Sequence, residues 1–576
     1  MAFITSRWLG RLFALSFVLN VLFLGDMWLG DDTSPNDVRL FRADSAQDLN
    51  IDASADRLAA PTNLIQVSEL EGKGRNSTTP ESNSTTPKSS SGEVGANSTE
   101  QTSTNMSADA MLAVFLNNDE SSTLDIPHFT CLGWRQTGEC SPDGPRESMS
   151  DASCDANISP GLSGHCLLRN DATGQEVRAM RVNCSTLHRD ASFNCRQATD
   201  FARVALQIDV LIEAKQLERK TPHSAKPNNG VVMVMYPRLI ESVYATIRLL
   251  RSYNCSLPVE LWYLESEMGA SPLNDSRVLQ SLVQRYGPIS LRGIADDKIG
   301  GFNSKIFAVA HSSFDQVLFL DADNAPVKDP TYLFSDPKFV ETGAIFWPDF
   351  WHPSHTIFNV KAESLVWELV DTPFVNMFEQ ESAQLLIDRR RSAVAMEIVQ
   401  FLALRKPDHL NALRLLYGDK DIFRMAWLKT KTPFHMIVTP PGAAGMKRAN
   451  RFCGMTMVQY DTKGEVLFLH HNAKKLIERD GDGQSRVWTH LQSFVFPSHL
   501  SSVDADPEER FAFISTNYLV QIIGGGGSFP GFSLCYGDTS MESPHFQLTP
   551  WEKLPFHDLE SRLSEFASDA RNTTPK

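Results

Sequence analysis

Short, continuous apolar runs alternate with amphipathic segments from about residue 230 onward. The runs GVVMVMY, from Gly230, and LPVELWYL, from Leu257, each have the length of a single strand. LIESVYATIRLLRSY lies between them and SRVLQSLVQRYG follows them, both with helical spacing of apolar residues. Strands that are apolar along their whole length are typical of parallel sheets covered on both faces. The sequence therefore predicts an α/β domain with a mainly parallel central sheet over residues 230–500.

Overall size and charge restrict the functional class. The chain has 576 residues, 42% of them hydrophobic, which is enough for a large core and more than one domain. The formal net charge is -15. A nucleic-acid binder needs a surplus of Lys and Arg for phosphate contacts, so no nucleic-acid partner is expected.

The N-terminus has the pattern of a membrane anchor. Arg7 and Arg11 precede an apolar run, and acidic residues follow it. This charge order predicts a cytosolic tail over 1–11, a signal anchor or transmembrane helix over 12–30, and a chain that continues into the lumen. A cleaved signal peptide is the alternative interpretation.

Residues 31–125 are rich in Ser, Thr, Asn and Pro and lack apolar periodicity, which predicts a disordered, glycosylated stalk. The whole chain contains an unusual density of N-x-S/T acceptor sites, at Asn76, Asn83, Asn97, Asn105, Asn157, Asn183, Asn254, Asn274 and Asn572. Both features indicate the secretory pathway.

Six cysteines fall within residues 126–198, a segment that is otherwise poor in apolar residues. In an oxidising compartment they predict a disulfide-rich module with three bridges, for which fifteen connectivities are possible. A zinc site is a less favoured alternative because no CxxC pair occurs. Cys255, Cys453 and Cys535 are an odd remainder, so at least one of them is free or pairs elsewhere. Residues 199–229 predict a helical bridge, and 501–576 a C-terminal extension.

The stretch FDQVLFLDADNAPVKDP ends an apolar strand with Asp321 and Asp323. Residues two apart in extended chain face the same side, so the two carboxylates can converge. Their repulsion is relieved by a divalent cation, and Mg²⁺ or Mn²⁺ prefers such oxygen ligands. The alternative is a pair of solvated acids at a turn.

Further polar residues accompany apolar segments of the same domain. VLFLHHNAKK places His470 at a strand end as a candidate third ligand, with Lys474 near enough to meet a diphosphate. GAIFWPDFW, FEQESAQLLIDRRR and YGDKDIF contribute Asp349, Glu381, Gln384 and Asp419. Each also fits a helix cap, an exposed helix face or a turn.

These segments, together with GGFNSKIFAVAHSSFDQVLFLDADNAPVKDPTYLF, resemble the Golgi mannosyltransferases of glycosyltransferase family 71, the fungal-type α-1,2/α-1,3-mannosyltransferases. The resemblance runs from about Gly230 to Asn472. One departure is Ala383, where the family pattern usually has Gly.

The resemblance implies a GT-A-type nucleotide-sugar-binding domain, a GDP-mannose donor, Mn²⁺ (or Mg²⁺), a glycan acceptor and retention of anomeric configuration. It also implies a single-pass type II protein of the Golgi membrane, with its catalytic domain in the lumen. The residue roles that it implies are metal binding for Asp321, Asp323 and His470, nucleotide or phosphate contacts for Tyr236, Lys305 and Lys474, and sugar or acceptor contacts for Asp349, Glu381, Gln384 and Asp419.

Three other functions stay open at this point. A glycosyltransferase of the same fold could use another nucleotide sugar. A haloacid-dehalogenase-type phosphatase also uses a strand-end Asp-x-Asp with Mg²⁺, although on the first strand of its core. A non-catalytic surface glycoprotein is the third alternative. The acceptor, the linkage and the oligomeric state stay open as well.

Overall fold

The structure is a computed structural model that describes residues 106–117, 124, 126–218, 226–471, 487–530 and 532–573. The predicted cytosolic tail, the signal anchor, most of the stalk and Lys474 lie outside these residues. The prediction of a disordered stalk up to residue 125 is wrong for its last part, because Ala108–Leu116 is a helix whose Leu112 and Phe115 are buried in the core. Within the described ranges, no helix combines the length and the hydropathy needed to span a bilayer.

The described helices are, in chain order, α1 (Ala108–Leu116), α2 (Gln197–Glu218), α3 (Ile240–Ser252), α4 (Glu265–Met268), α5 (Pro272–Asp275), α6 (Arg277–Tyr286), α7 (Asn303–His311), α8 (Pro337–Thr342), α9 (Leu365–Leu369), α10 (Ala393–Leu404), α11 (His409–Ala412), α12 (Lys420–Lys429), α13 (Pro507–Asn517) and α14 (Leu559–Asn572).

The described strands are β1 (Phe129–Gln136), β2 (Gly164–Asn170), β3 (Glu176–Val182), β4 (Asn229–Val234), β5 (Val259–Leu264), β6 (Ile289–Ile294), β7 (Gln316–Leu320), β8 (Asn324–Pro326), β9 (Ala344–Pro348), β10 (Gln380–Asp388), β11 (His435–Met436), β12 (Gly442–Arg448), β13 (Arg451–Tyr460), β14 (Val466–His470), β15 (His490–Phe494), β16 (Gln521–Gly524), β17 (Leu534–Gly537) and β18 (Phe546–Pro550).

The cysteine-rich segment folds around the antiparallel sheet β1-β2-β3. Its six cysteines form three disulfide bonds, Cys131–Cys154, Cys140–Cys184 and Cys166–Cys195. The structure thus has one of the fifteen connectivities, and these cysteines are not arranged as a zinc site. The long helix α2 follows directly, as the apolar periodicity after residue 200 predicts.

The central sheet has the order β11-β9-β10-β7-β4-β5-β6. Strands β7, β4, β5 and β6 are parallel neighbours, whereas β10 runs antiparallel to both β7 and β9. The α/β class is confirmed, but the sheet is mixed, because β10 is inserted with reversed direction. All nine residues of β10 are buried, and burial pattern alone does not reveal strand direction.

The two faces of this sheet are covered by different helices. Along β7, Val317 and Phe319 point into the core that includes α7, α10 and α12, while Leu318 and Leu320 point into the core that includes α3, α6 and α14. This alternation is the two-residue period of a strand buried on both sides. It accounts for the continuous apolar run VLFL that the sequence shows there.

A second, antiparallel sheet has the order β16-β17-β13-β12-β15-β18, with β14 beside β13 and β8 beside β14. The disulfide Cys453–Cys535 joins β13 to β17, and Cys255 is a buried free cysteine. Pairing of β14 with β8 sets His470 opposite Asn324, the residue after Asp323. The second sheet thereby brings the end of β14 to the end of β7.

Residues after 500, which the sequence predicts as an extension, supply strands of the second sheet and a helix that covers the central sheet. They supply β16, β17 and β18 of the second sheet. The helix α14 packs against α3, where the Arg248 guanidinium lies 4.0 Å from the ring centre of Phe566 and pairs with Asp569. The glycine-rich stretch after Ile523 connects the hairpin strands β16 and β17.

Candidate functional site

Two carboxylates and one imidazole converge at the carboxyl end of β7. Asp321 directly follows the strand, Asp323 lies two residues further, and His470 ends β14. One potential ligand atom from each of the three lies within 4.8 Å of the other two, and His470 Nε2 is 3.6 Å from Asp323 Oδ1. Two carboxylates with an imidazole suit Mn²⁺, and hard oxygen ligands also suit Mg²⁺. The geometry therefore fits the predicted metal site.

The charge state of Asp321 also fits a cation. Burial raises the pKa of Asp321 to about 7; the ammonium of Lys305 opposes this rise, whereas the carboxylates of Asp323, Asp419 and Glu381 add to it. The ionised form of Asp321 is therefore under-compensated by the protein alone. A divalent cation between Asp321 and Asp323 would supply the missing positive charge.

Lys305, on α7, connects this metal group to the next acid along the site. Its ammonium lies 3.2 Å from Asp321 Oδ2 and 3.1 Å from Asp419 Oδ2. It also donates to the carbonyl oxygen and the hydroxyl of Ser382, each at 3.1 Å. Burial would lower the pKa of Lys305, but Asp321 and Asp419 outweigh it and raise that pKa, so the ammonium keeps its proton.

Lys420 bridges the remaining two acids of the site. Its ammonium contacts Asp349 Oδ2 and lies 3.1 Å from Glu381 Oε2. Glu381 Oε1 accepts hydrogen bonds from the backbone N–H groups of Ser382, at 2.8 Å, and Ala383, at 2.9 Å. The sequence prediction missed Lys420, although it follows Asp419 directly; the signal was a lysine between two acids at the start of a helix.

The two carboxylates that share Lys420 have opposite pKa shifts. Burial raises the pKa of Asp349 to about 6, with Lys420 opposing the rise and Glu381 adding to it. Burial also acts to raise the pKa of Glu381, but Lys420, His470 and Lys305 outweigh it and lower that pKa to about 2. Glu381 therefore stays ionised, while Asp349 is the carboxylate of the pair that titrates near neutral pH.

Tyr236 and Gln384 lie beside these charged side chains, which we call the charged row: Asp321, Asp323, His470, Lys305, Asp419, Lys420, Glu381 and Asp349. The Tyr236 hydroxyl hydrogen-bonds to Ser304 Oγ at 2.9 Å and donates to the Gly301 carbonyl at 3.3 Å. Burial raises the pKa of Tyr236 to about 12, so it is a neutral hydrogen-bonding group next to Lys305. Gln384 is fully buried, and its Oε1 accepts from Asn324 Nδ2 at 2.6 Å.

The structure thus brings together Asp321, Asp323, His470, Lys305, Asp419, Glu381 and Asp349, with Tyr236 at one border. Gln384 braces the turn after β7 from inside, so its predicted contact with a sugar stays a prediction. Lys474 is outside the described residues. Ala383 has no positive φ angle, and its carbonyl accepts from the Asp321 N–H at 2.8 Å, so Ala replaces the usual Gly without backbone strain.

The fold and the site define a class of protein, namely α/β proteins with a mixed sheet and a candidate divalent-cation site at the carboxyl edge of its strands, where such sheets bind ligands. Comparison with known proteins indicates which family this region resembles. Residues 228–461 match the family model described as "Mannosyltransferase putative". This region of the chain is therefore similar to a mannosyltransferase family, which confirms the resemblance seen in the sequence.

Curated relatives agree. The α-1,2-mannosyltransferase MNN2 of Saccharomyces cerevisiae is 22% identical over 283 residues, which is 42% of this chain and 47% of that protein. MNN2 of Candida albicans is 31% identical over 133 residues, 22% of each chain. MNN14 of Candida albicans, whose name reads "Putative alpha-1,3-mannosyltransferase", is 23% identical over 34% of this chain and 32% of its own. The matches thus span about half of each relative's length or less.

Solved structures align with part of the chain at low similarity. The galactosyltransferase LgtC, in complex with donor and acceptor sugar analogs, aligns with 36% of this chain and 72% of its own at 15% identity, with a TM-score of 0.26. Core-mannan synthase A from Aspergillus fumigatus, in its Mn/GDP form, aligns with 41% of this chain and 78% of its own at 7% identity and the same TM-score. TM-scores of this size do not by themselves identify a fold.

Proposed function

We propose that the protein is a divalent-cation-dependent α-mannosyltransferase that moves mannose from GDP-mannose to a hydroxyl of a glycan acceptor, with retention of configuration. The observation that carries this proposal is the convergence of Asp321, Asp323 and His470 at the sheet edge. Asp321 and Asp323 lie inside the region that matches the mannosyltransferase family, and His470 follows that region closely in the chain. The α-1,2 and α-1,3 activities in the relatives' names support the choice of sugar.

The chemistry of glycosyl transfer matches the charges of the site. When the bond between sugar and diphosphate breaks, negative charge develops on the diphosphate, and a bound Mn²⁺ or Mg²⁺, held by Asp321, Asp323 and His470, would stabilise it. Lys305 adds a fixed positive charge beside that group. Its ammonium is anchored by Ser382, so it needs little reorganisation when the charge appears.

The other end of the row suits the acceptor. Asp349 and Glu381 are buried and fixed by backbone N–H groups, and together they hold the Lys420 side chain, which is 22% exposed, in position. We assign to these side chains the role of orienting the sugar and the attacking hydroxyl, because the reaction depends on the distance and alignment of the two reacting atoms. Asp419 supports them by holding Lys305. No residue is assigned as a covalent nucleophile.

The proposal includes a site of action in the Golgi lumen, with the chain anchored as a single-pass type II membrane protein. It is supported by the charged and apolar pattern of residues 1–30, by the many glycosylation acceptor sites and by the four disulfide bonds among described residues. The acceptor then belongs to protein-linked glycans or cell-wall mannan.

A panel of nucleotide sugars tests this function. The full-length chain, purified in detergent, is incubated with GDP-mannose, UDP-glucose, UDP-galactose or UDP-N-acetylglucosamine, an α-mannoside acceptor and Mn²⁺. We expect transfer from GDP-mannose alone, and its loss with a chelator. Turnover of a UDP-sugar but not of GDP-mannose would refute the donor assignment, and phosphate release from a phosphomonoester would favour the phosphatase alternative.

A further inference from the structure

Three aromatic side chains form a continuous row beside the charged site. The rings of Phe358 and Tyr417 are stacked, with centres 4.8 Å apart and an interplanar angle of 15°. The ring of Phe302 continues the row, with its centre 6.3 Å from that of Tyr417. We refer to Phe302, Tyr417 and Phe358 as the aromatic shelf. The mechanism proposed above does not use any of these residues.

The aromatic shelf is built onto the same segments as the charged residues. Phe302 immediately precedes α7 and lies three residues before Lys305, while Tyr417 lies two residues before Asp419. Between them, Gly418 has a φ of +59°, and an added Cβ there would lie 3.1 Å from the Phe302 ring. The absence of a side chain at Gly418 therefore lets the Phe302 ring lie directly against the backbone next to Asp419.

One end of the shelf reaches the lysine that holds Asp349 and Glu381. The Lys420 ammonium lies 5.6 Å from the ring centre of Phe358, within the range of a cation–π contact. At the other end, Phe302 is 54% exposed. A single exposed apolar side chain is common on protein surfaces, but this ring is continuous with two partly or largely covered rings and with the charged row. Phe302 is thus the exposed end of a row of rings whose other end contacts Lys420.

The chemistry of this surface fits a sugar ring. One face of a pyranose carries C–H groups, which pack against the negative face of an aromatic ring, while its hydroxyls need charged or polar partners at the ring edge. The aromatic shelf supplies the ring face. Lys420, whose side chain is 22% exposed and is held in position by Asp349 and Glu381, supplies a polar partner next to it.

The order of contacts separates donor from acceptor. His470, Asp323 and Asp321 occupy one end of the charged row, Lys305 and Asp419 follow, and the pair Glu381–Asp349 with Lys420 occupies the other end. A donor diphosphate belongs at the metal end. The aromatic shelf meets the row at Lys420, through Phe358, and at the backbone beside Asp419, through Phe302. Both positions lie beyond Lys305 in the order of the row.

We propose that the aromatic shelf is a binding subsite for a pyranose residue of the acceptor glycan, with Phe302 as its exposed stacking ring. This assignment rests on the proposed mannosyltransferase function. It makes Phe302 a residue that governs acceptor affinity, while donor binding depends on the metal end of the row.

The test measures acceptor binding and donor breakdown separately. The full-length chain is saturated with GDP and Mn²⁺ and titrated with an α-linked mannotriose by calorimetry, and hydrolysis of GDP-mannose by water is measured without acceptor. The variants are Phe302→Ala, Phe302→Tyr and Leu217→Ala. Leu217 is a control of similar exposure, 57%, near the end of α2.

We expect Phe302→Ala to weaken mannotriose binding about tenfold, as loss of an aromatic anchor does, with GDP-mannose hydrolysis unchanged. Phe302→Tyr keeps a ring and should bind within about twofold of the wild type, as should Leu217→Ala. Thermal unfolding of each variant verifies that it is folded. Since Phe302 is exposed, we expect these substitutions to leave the unfolding temperature unchanged.

Three results would overturn the subsite. The first is that Phe302→Ala binds mannotriose as tightly as the wild type does. The second is that the wild type hydrolyses GDP-mannose but does not bind mannotriose. The third is that Phe302→Ala loses as much hydrolysis as it loses affinity. By contrast, mannotriose binding that depends on Phe302 in a protein unable to use GDP-mannose would refute the proposed donor and support the shelf as a sugar site.

Discussion

The ammonium of Lys420 lies between the carboxylates of Asp349 and Glu381, from which it is separated by 71 and 39 residues of chain. The three side chains come from the start of α12, the residue directly after β9 and the strand β10. Both carboxylates are nearly inaccessible to solvent, so the single ammonium compensates two buried charges. This arrangement makes the site's charge balance sensitive to one residue.

Replacing Lys420 by Met should leave Asp349 and Glu381 buried without a counter-charge. We expect the free energy of unfolding at pH 8 to fall by about 3 kcal/mol, the usual cost of removing one partner of a buried ion pair. The loss should be smaller at pH 5.5, because Asp349, whose pKa is already raised to about 6, can then take up a proton. Denaturant unfolding at the two pH values measures both effects.

Lys420→Arg is the matched control, since it keeps the positive charge. This substitution should lower the free energy of unfolding by no more than about 1 kcal/mol, because only the geometry of the contact changes. If Lys420→Met were as stable as the wild type at pH 8, the ammonium would not be balancing the two acids.

The metal site makes a second prediction. Asp321→Asn and Asp323→Asn each remove one charged ligand at nearly constant volume. Both should weaken Mn²⁺ binding by more than about a hundredfold, because even the loss of a ligand's hydrogen-bonding partner costs about 10- to 100-fold. In chelator, neither variant should be less stable than the wild type, because each removes one of two buried like charges. Calorimetric titration with Mn²⁺ measures the affinity.

Asp388→Asn provides the control for the metal prediction. Asp388 ends β10 and accepts a hydrogen bond from Gln316 at the opposite end of β7, so it carries the same substitution on the same pair of strands. Its Mn²⁺ affinity should equal that of the wild type. Wild-type affinity in Asp321→Asn and Asp323→Asn would place the cation elsewhere.

A third prediction concerns stability at acid pH, through the ion pairs that hold α2 to the main sheet domain. Asp200 on α2 accepts from the two terminal nitrogens of the Arg405 guanidinium, at 2.7 and 2.8 Å, and lies 2.7 Å from His409 Nε2. Burial acts to raise the pKa of Asp200, but His409 and Arg405 outweigh it and lower that pKa from 3.8 to about 2. The folded state therefore holds the proton of Asp200 more weakly than the unfolded state does.

The stability of the folded state therefore depends on pH through Asp200. Asp200 contributes about 2 kcal/mol of stability above pH 4, and this contribution disappears as the pH falls toward 2. Asp200→Asn should accordingly be less stable than the wild type at pH 6, with the gap closing near pH 2. Asp209→Asn, on the same helix with a 55% exposed side chain, should change stability by less than about 0.5 kcal/mol. A gap that persists at pH 2 would contradict the assignment.

The cysteine pairing makes a fourth prediction. The chain contains nine cysteines, eight of which form disulfide bonds, and Cys255 is a buried free thiol. Thiol titration of unreduced, denatured protein should give one thiol for each chain, and none for Cys255→Ser. Three thiols would instead show that Cys453 and Cys535 are not paired.

Breaking the bond between β13 and β17 should cost stability. The double variant Cys453→Ala/Cys535→Ala opens a loop with a sequence separation of 82 residues. Loss of that constraint on the unfolded chain should lower the free energy of unfolding by about 2–5 kcal/mol. Denaturant unfolding of the oxidised proteins measures it, with Cys255→Ala as the control that breaks no bond.

The α/β class and the strand-end acids could be predicted from local pattern. The continuous apolar run of β7 indicates burial on both faces, and two acids at its end have no place in a core unless they emerge at the sheet edge. Asp321 and Asp323 converge as predicted, but through a turn after β7 rather than along extended chain, because the Asn324 N–H donates to the Asp321 carbonyl at 3.1 Å. The cysteine count likewise predicts three bonds in the module, although not which cysteines pair.

The mixed direction of the sheet and the second sheet could not be predicted in this way. β10 is buried throughout, and such a strand has the same sequence pattern whether it runs parallel or antiparallel to its neighbours. The pairing of β14 with β8 joins segments about 145 residues apart, and local periodicity does not indicate which distant strand a segment pairs with. That pairing determines where His470 lies.

The sequence by itself determined which residue types stand at strand ends and helix starts, because burial and periodicity are local properties of the chain. Only the tertiary structure decided which charges face one another. Lys305 joins Asp321 to Asp419, and Lys420 joins Asp349 to Glu381, because strands and helices distant in sequence end at the same edge of the sheet. The energy of a charge pair depends on the distance between the charges and on their burial in the folded state. Neither quantity follows from the spacing of residues along the chain.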